Sequence, residues 1–79
     1  MARIIIDVRS SGEYAAAHSS KARNLPLEQV PARIGTLAKR EDEVWVCCAS
    51  GARSAQAARK LKELGYQRVK DLGPWTNLT

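Results

Sequence analysis

Cys47 and Cys48 close an apolar run that begins at Val44 and lead into Ala49-Ser50-Gly51-Ala52-Arg53-Ser54, a stretch of small residues carrying one arginine. A strand that ends in a cysteine and passes through a short Gly-containing loop into an Ala-rich helix builds an anion cradle. The N–H groups of the loop and of the helix's first turn can converge on one point. Positive potential there favours thiolate over thiol. A free cysteine of pKa about 8.5 is only a few per cent thiolate at neutral pH, and a fall to about 6.5 makes it mostly thiolate. The two cysteines are the whole cysteine content of the chain. Adjacent cysteines close only a strained ring, so they form no structural disulfide framework. No second Cys/His cluster completes a zinc site. The reading is a reactive thiol that needs neither metal nor organic cofactor. Loop position gives that role to Cys48. Cys47, the last residue of the strand, points to the opposite side and reads as a small core residue.

The elements that must position this loop follow from hydrophobic spacing. Arg3–Val8 is a β-branched run of the kind buried on both faces. Ser10 with Glu13 is a capping box before a short helix over Tyr14–Ala17. Ala22–Leu25 is a short strand ended by Pro26. Leu27, Val30, Ile34 and Leu37 recur at helical spacing, with Pro31 near the start of that helix. Glu41–Glu43 is a polar turn and Val44–Cys47 the second strong strand. Ala55, Ala58, Leu61 and Leu64 make the stripe of the helix after the loop, and Gly65 is its C-cap. Gln67–Leu72 is a weaker strand, Gly73–Pro74 turns the chain, and Trp75 starts a final short turn. Strands alternating with helices predict an α/β fold: a central parallel sheet flanked by helices on both faces, in a single domain over residues 1–79. Ligands of such sheets bind at the carboxyl ends of strands, where Cys48 lies. Asp7 and Arg9 end the first strand near that side. They either shape a pocket or brace the strand ends as an ion pair. His18, alone, reads as structural. Trp45 reads as core, and Trp75 either lines the mouth of the site or caps the sheet.

Composition narrows the partners. The net charge of +5 raises the local concentration of small anions. No basic run exceeds Lys39–Arg40 and no aromatic cluster accompanies it, so nucleic acid is not expected. No apolar run approaches the roughly 20 residues of a membrane span. No secretory signal is visible, which leaves the compartment open between cytoplasm and periplasm. A monomer is the default for so small a domain. The lysines and arginines off the apolar stripes (Arg33, Lys39, Arg40, Arg59, Lys60, Lys62) read as solvated faces.

Taken together, the motifs resemble the rhodaneses, the single-domain sulfurtransferases. Ile5-Ile6-Asp7-Val8-Arg9, Glu13-Tyr14, His18 and Ala22-x-Asn24-Leu25-Pro26-Leu27 match the family's N-terminal signature in order and spacing. Cys48-x-Ser50-Gly51-x-Arg53-Ser54 matches its active-site loop, and Leu64-Gly65-Tyr66 and Leu72-Gly73 its C-terminal half. The chain is most similar to the small bacterial thiosulfate sulfurtransferases of the phage-shock type. The resemblance implies a rhodanese-like α/β fold and a persulfide on Cys48. Sulfane sulfur would pass from thiosulfate, or a related small anionic donor, to cyanide or a thiol acceptor. Backbone N–H groups of Ala49–Ser54 would hold the substrate, and Arg53 its sulfonate-like end. Three departures stand out. Ala17-His18-Ser19-Ser20-Lys21-Ala22 lacks the two glycines and the apolar residue usual in that turn, Ala49 follows the nucleophile where arginine is common, and Pro74 replaces a common glycine. Two other classes remain. Cys47-x5-Arg53-Ser54 formally fits a phosphatase or arsenate-type signature that would use Cys47, and some rhodanese-like domains are non-catalytic binding modules.

Overall fold

A computed structural model of the chain describes residues 2–78. It contains β1 (Arg3–Asp7), α1 (Ser11–Ala16), β2 (Arg23–Asn24), α2 (Val30–Arg33), β3 (Glu43–Cys48), α3 (Ala52–Glu63) and β4 (Arg68–Pro74), with 3-10 turns at Leu27–Gln29, Ile34–Thr36 and Trp75–Leu78. The strands form one four-stranded sheet in the order β2-β1-β3-β4. Every pairing is parallel, and β3, which carries the cysteines, is an inner strand between β1 and β4.

Local chemistry accounts for most of the elements. The expected capping box starts α1: the Ser10 hydroxyl accepts from the Glu13 N–H at 3.2 Å, and the Glu13 carboxylate accepts from the Ser10 N–H at 3.0 Å. Gly65 closes α3 at φ +97°, and the Tyr66 N–H reaches back to the Leu61 carbonyl at 3.0 Å. This is the backbone arrangement that a left-handed glycine permits. The glycine-poor turn at His18 folds without a left-handed residue. The Ser19 hydroxyl accepts from the Lys21 N–H at 3.2 Å and the Ser19 carbonyl from the Ala22 N–H at 3.1 Å, while His18 stacks on Tyr14 with ring centroids 3.8 Å apart. A serine turn does locally what the missing glycines do by conformational freedom.

Three expectations are corrected. The single helix over Leu27–Leu37 is a chain of short turns around α2. Pro31 supplies no N–H, and the Thr36 hydroxyl donates to the Arg33 carbonyl at 2.7 Å, competing with a continuous ladder. Its stripe nonetheless holds, with Val30 and Ile34 buried and Leu27 and Leu37 half-buried. Gly73 and Pro74 do not turn the chain but continue β4, opposite Cys47 and Cys48. A register shift leaves Leu72 as the extra residue, and an edge strand tolerates the proline's missing donor. In α3 the buried residues are Ser54, Ala57, Ala58 and Leu61, so the stripe is rotated from the expected one, and Ala55 and Leu64 are only half-buried.

The two faces of the sheet are covered unequally. α2 and α3 bury the face made by Ile6, Val8, Val44, Val46 and Cys48. The other face carries a smaller cluster of Ala22, Cys47 and Leu78 beneath the Trp75–Leu78 turn. That turn reaches only the carboxyl-terminal rows, which is why this face of β1 begins exposed at Arg3 and only half-buried at Ile5.

The thick face holds most of the stability. Leu61 is fully buried between α3 and the sheet, so Leu61→Ala is expected to cost about 2–5 kcal/mol in urea unfolding. That is a large share of the roughly 4–12 kcal/mol available to a chain this short.

Candidate functional site

β3 delivers the two cysteines to opposite faces, as strand alternation requires. Cys48 joins the core under α3, and Cys47 joins the cluster under Trp75. Both are free and fully buried, yet their thiols behave oppositely. Burial pushes the Cys47 thiol up to about 12, and the nearby Asp7 carboxylate adds to the effect. Burial also acts upward on Cys48, but hydrogen bonds outweigh it. The Ser54 side chain and the backbone N–H groups of Ser54, Gly51 and Arg53 bring its pKa below the usual thiol value.

The loop geometry explains the difference. The Gly51 N–H donates to Cys48 Sγ at 2.9 Å, and the Cys48 thiol lies 3.5 Å from Ser54 Oγ. Ser54, fully buried on the first turn of α3, donates its own hydroxyl to the Gly51 carbonyl at 3.1 Å. The hydroxyl can rotate to donate to a thiolate instead, so it serves either state of the sulfur. Gly51 caps α3 at φ +102°, a conformation that favours glycine. A side chain there would lie 3.8 Å from Gly73 Cα, so the bulged end of β4 forms the wall behind the loop. Ala49, Ser50 and Ala52 are exposed and form the outer rim.

The structure gives partners to three charged side chains of this region. Arg53 does not point its guanidinium into the loop. Its two terminal nitrogens bond both oxygens of Glu13 at 2.7 and 3.0 Å, tying α3 to α1. Only its backbone N–H serves the sulfur. Asp7 and Arg9 form a buried ion pair, one of the two readings their place at the end of the first strand left open. Arg9 Nη2 donates to Asp7 Oδ2 at 2.7 Å and to the Ala17 carbonyl at 2.8 Å, and the guanidinium lies 4.7 Å from the Trp75 ring centroid. Asp7 sits in register with Cys47, on the face away from Cys48. The same geometry removes the basis for a Cys47-centred phosphatase loop, because Cys47 lies outside the cradle and holds its proton.

Two contributions go beyond the sequence pattern. Glu13, half of a capping box and part of the N-terminal signature, also clamps Arg53. The Ser54 hydroxyl joins the backbone N–H groups in serving the sulfur. Neither has a local signal: the Glu13–Arg53 contact spans 40 residues, and the Ser54 contact depends on how α3 is rotated.

The rhodanese-like domain model matches residues 1–73 of the chain. The chain belongs to the rhodanese-like family. This rhodanese-like domain is 41% identical over 69 residues to the thiosulfate sulfurtransferase PspE of Escherichia coli (strain K12), which covers 86% of the chain and 66% of the relative. It is 38% identical over 79 residues to YrkF of Bacillus subtilis (strain 168), provisionally named a sulfur carrier protein, covering 95% of the chain and 42% of the relative. The chain thus spans less than two thirds of either. A solved structure described as a rhodanese with anions from E. coli matches with a TM-score of 0.88 at 37% identity, covering 95% of this chain and 89% of that one.

Replacing Ser54 by alanine removes the largest of the hydrogen-bond effects on Cys48 and is expected to raise its pKa, read from thiolate ultraviolet absorbance while Cys47 stays protonated. The Glu13 clamp has its own signature. The side-chain hydrogen bonds of Arg53, then the Ser10 N–H and hydroxyl, lower the Glu13 pKa from 4.5 to about 2. A depressed carboxylate stabilises the fold above its unfolded pKa and loses that stabilisation as pH falls through the folded value. Glu13→Gln is therefore expected to flatten the loss of stability between about pH 4.5 and 2, leaving the part owed to Asp42 and Glu43, whose carboxyls are also held low.

Proposed function

We propose that this rhodanese-like domain is a sulfurtransferase that carries sulfane sulfur as a persulfide on Cys48, with thiosulfate or a related small anion as donor. The observation that carries the reading is the Cys48 sulfur held under converging donors, with the Gly51 N–H at 2.9 Å and its pKa lowered despite full burial. The similarity to a relative named thiosulfate sulfurtransferase supports the choice of donor.

The chemistry needs no outside oxidant. The Cys48 thiolate attacks the outer sulfur of thiosulfate. The bond between that sulfur and the sulfonate sulfur breaks, and sulfite leaves with the electron pair. Cyanide or an acceptor thiolate then attacks the terminal sulfur of the persulfide and returns Cys48 as thiolate. This is two-step covalent catalysis. The domain supplies fixed N–H dipoles from Gly51, Arg53 and Ser54 that stabilise sulfur anions without reorganising. Ala49, Ser50 and Ala52 add the small rim past which a slender donor reaches a sulfur with no exposed surface. With Arg53 occupied by Glu13, the sulfonate end meets backbone N–H groups and the basic charge of the domain, not a guanidinium.

The test is intact mass after incubation with thiosulfate. The wild type and Cys47→Ser are expected to gain about 32 daltons, one sulfur atom, and to lose it to cyanide as thiocyanate. Cys48→Ser is expected to gain nothing. An adduct that persists without Cys48, or a wild type that takes up no sulfur, overturns the proposal.

A further inference from the structure

The amino-terminal half of the thinly covered sheet face lies on the opposite side of β3 from Cys48. Its side chains stand in two rows across three strands: Arg3, Glu43 and Arg68 in one, Ile5, Trp45 and Lys70 in the next. Above them the Trp75–Leu78 turn takes over. The rows hold three cations and one carboxylate around a half-buried indole. Glu43 is already engaged, by Arg3 Nε at 2.9 Å. Arg3 Cζ, from one flanking strand, lies 4.1 Å from the Trp45 ring centroid, and Lys70 Nζ, from the other, lies 4.8 Å from it. The Trp45 Nε1–H is buried without a hydrogen bond among the described residues. It lies near enough to Glu43 to help lower that carboxyl, after the larger effect of Arg3, but short of bonding geometry.

We propose that this face docks an acidic segment of a partner protein. Carboxylates would meet Arg68, Lys70 and Arg3, and an apolar side chain would rest on Ile5 and the edge of Trp45. Charge complementarity sets the sign of the partner, and the apolar centre distinguishes this face from the other basic surface. The outer side of α3 carries Arg59, Lys60 and Lys62 without an apolar residue between them, and Lys60 is paired with Glu63 at 3.1 Å. A single-stranded nucleic acid fits less well, since base stacking needs a free aromatic face and Trp45 already holds two cations. The partner's role would be delivery or retention, independent of whether Cys48 carries sulfur.

The experiment is an amide NMR titration of the labelled chain with the peptide acetyl-Glu-Leu-Glu-Leu-Glu-amide at low salt. Shifts are expected at Arg3, Ile5, Arg68, Lys70 and the Trp45 indole, and they should fade as salt screens the charges. Arg68→Glu with Lys70→Glu, both exposed, is expected to weaken binding about tenfold or more. Lys70→Ser alone is a milder variant should the double one unfold, and it is expected to weaken binding in the same direction. Four outcomes overturn the proposal: shifts centred on Arg59, Lys60 and Lys62, equal binding of a Gln-for-Glu peptide, unchanged affinity in these variants, or a thymidine oligonucleotide that binds the same residues more tightly. Persulfide formation in the charge-reversed variant, measured in parallel, is expected to be unchanged, which separates this surface from the cysteine site.

Discussion

A buried sulfur that ionises must be given donors, because an unpaired charge inside a protein is far costlier than a neutral thiol. At Cys48 this demand is met by the Gly51 N–H and by the N–H groups and hydroxyl at the start of α3. Much of the local architecture serves that requirement. Gly51 adopts φ +102° so that its N–H can face the sulfur it follows so closely. Gly73, brought alongside by the shift in β4, backs the loop, its Cα 3.8 Å from where a side chain on Gly51 would start. The hydroxyl of Ser54 is buried where it can serve either charge state of the sulfur. The bidentate Glu13–Arg53 pair holds the helix that presents these donors, and the Ser10 cap holds Glu13 in turn.

The neighbouring Cys47 is the internal control. Sequence places it one residue away, and burial is equally complete. Without converging donors, and facing Asp7, its thiol is pushed up to about 12. Desolvation, with the Asp7 carboxylate adding to it, keeps Cys47 protonated, and at Cys48 the hydrogen bonds reverse the outcome. The contrast also shows why the arginine of the loop is not the source of the effect. Its guanidinium is spent on Glu13, and only its backbone acts on sulfur. The donors at Cys48 are the Ser54 hydroxyl and the backbone N–H groups of Ser54, Gly51 and Arg53, and the latter are fixed by the fold before charge appears.

The described residues cover the two faces of the sheet unevenly. The longest helix lies on the face that carries Cys48, and the 3-10 turn Trp75–Leu78 covers the carboxyl-terminal part of the other. The buried Asp7–Arg9 pair and the aromatic cap of Trp75 complete the carboxyl-terminal part of that second face. Toward the amino-terminal ends of the strands, charged side chains packed on Trp45 take the place of a layer.

Local signals in the sequence were enough for the strand, loop and helix around Cys48, for the capping box at Ser10, for Gly65 as a helix stop and for the assignment of the two cysteines to opposite faces. Each depends on residues within a few positions of one another, where backbone period, missing Cβ atoms and short side-chain hydrogen bonds dictate the outcome. The motif order likewise carried the family. The tertiary structure alone decided what the charged side chains do. Asp7 and Arg9 could be pocket or brace until the register of β1 against β3 turned Asp7 toward Cys47. Arg53 had no partner legible in its own loop, and α1 brings Glu13 within 2.7 Å of it. Gly73 and Pro74 read as a turn until β3 offered them a strand to extend. Long polar side chains and edge strands take their role from whichever partner arrives from elsewhere in the chain, and that partner has no signature in the residues beside them.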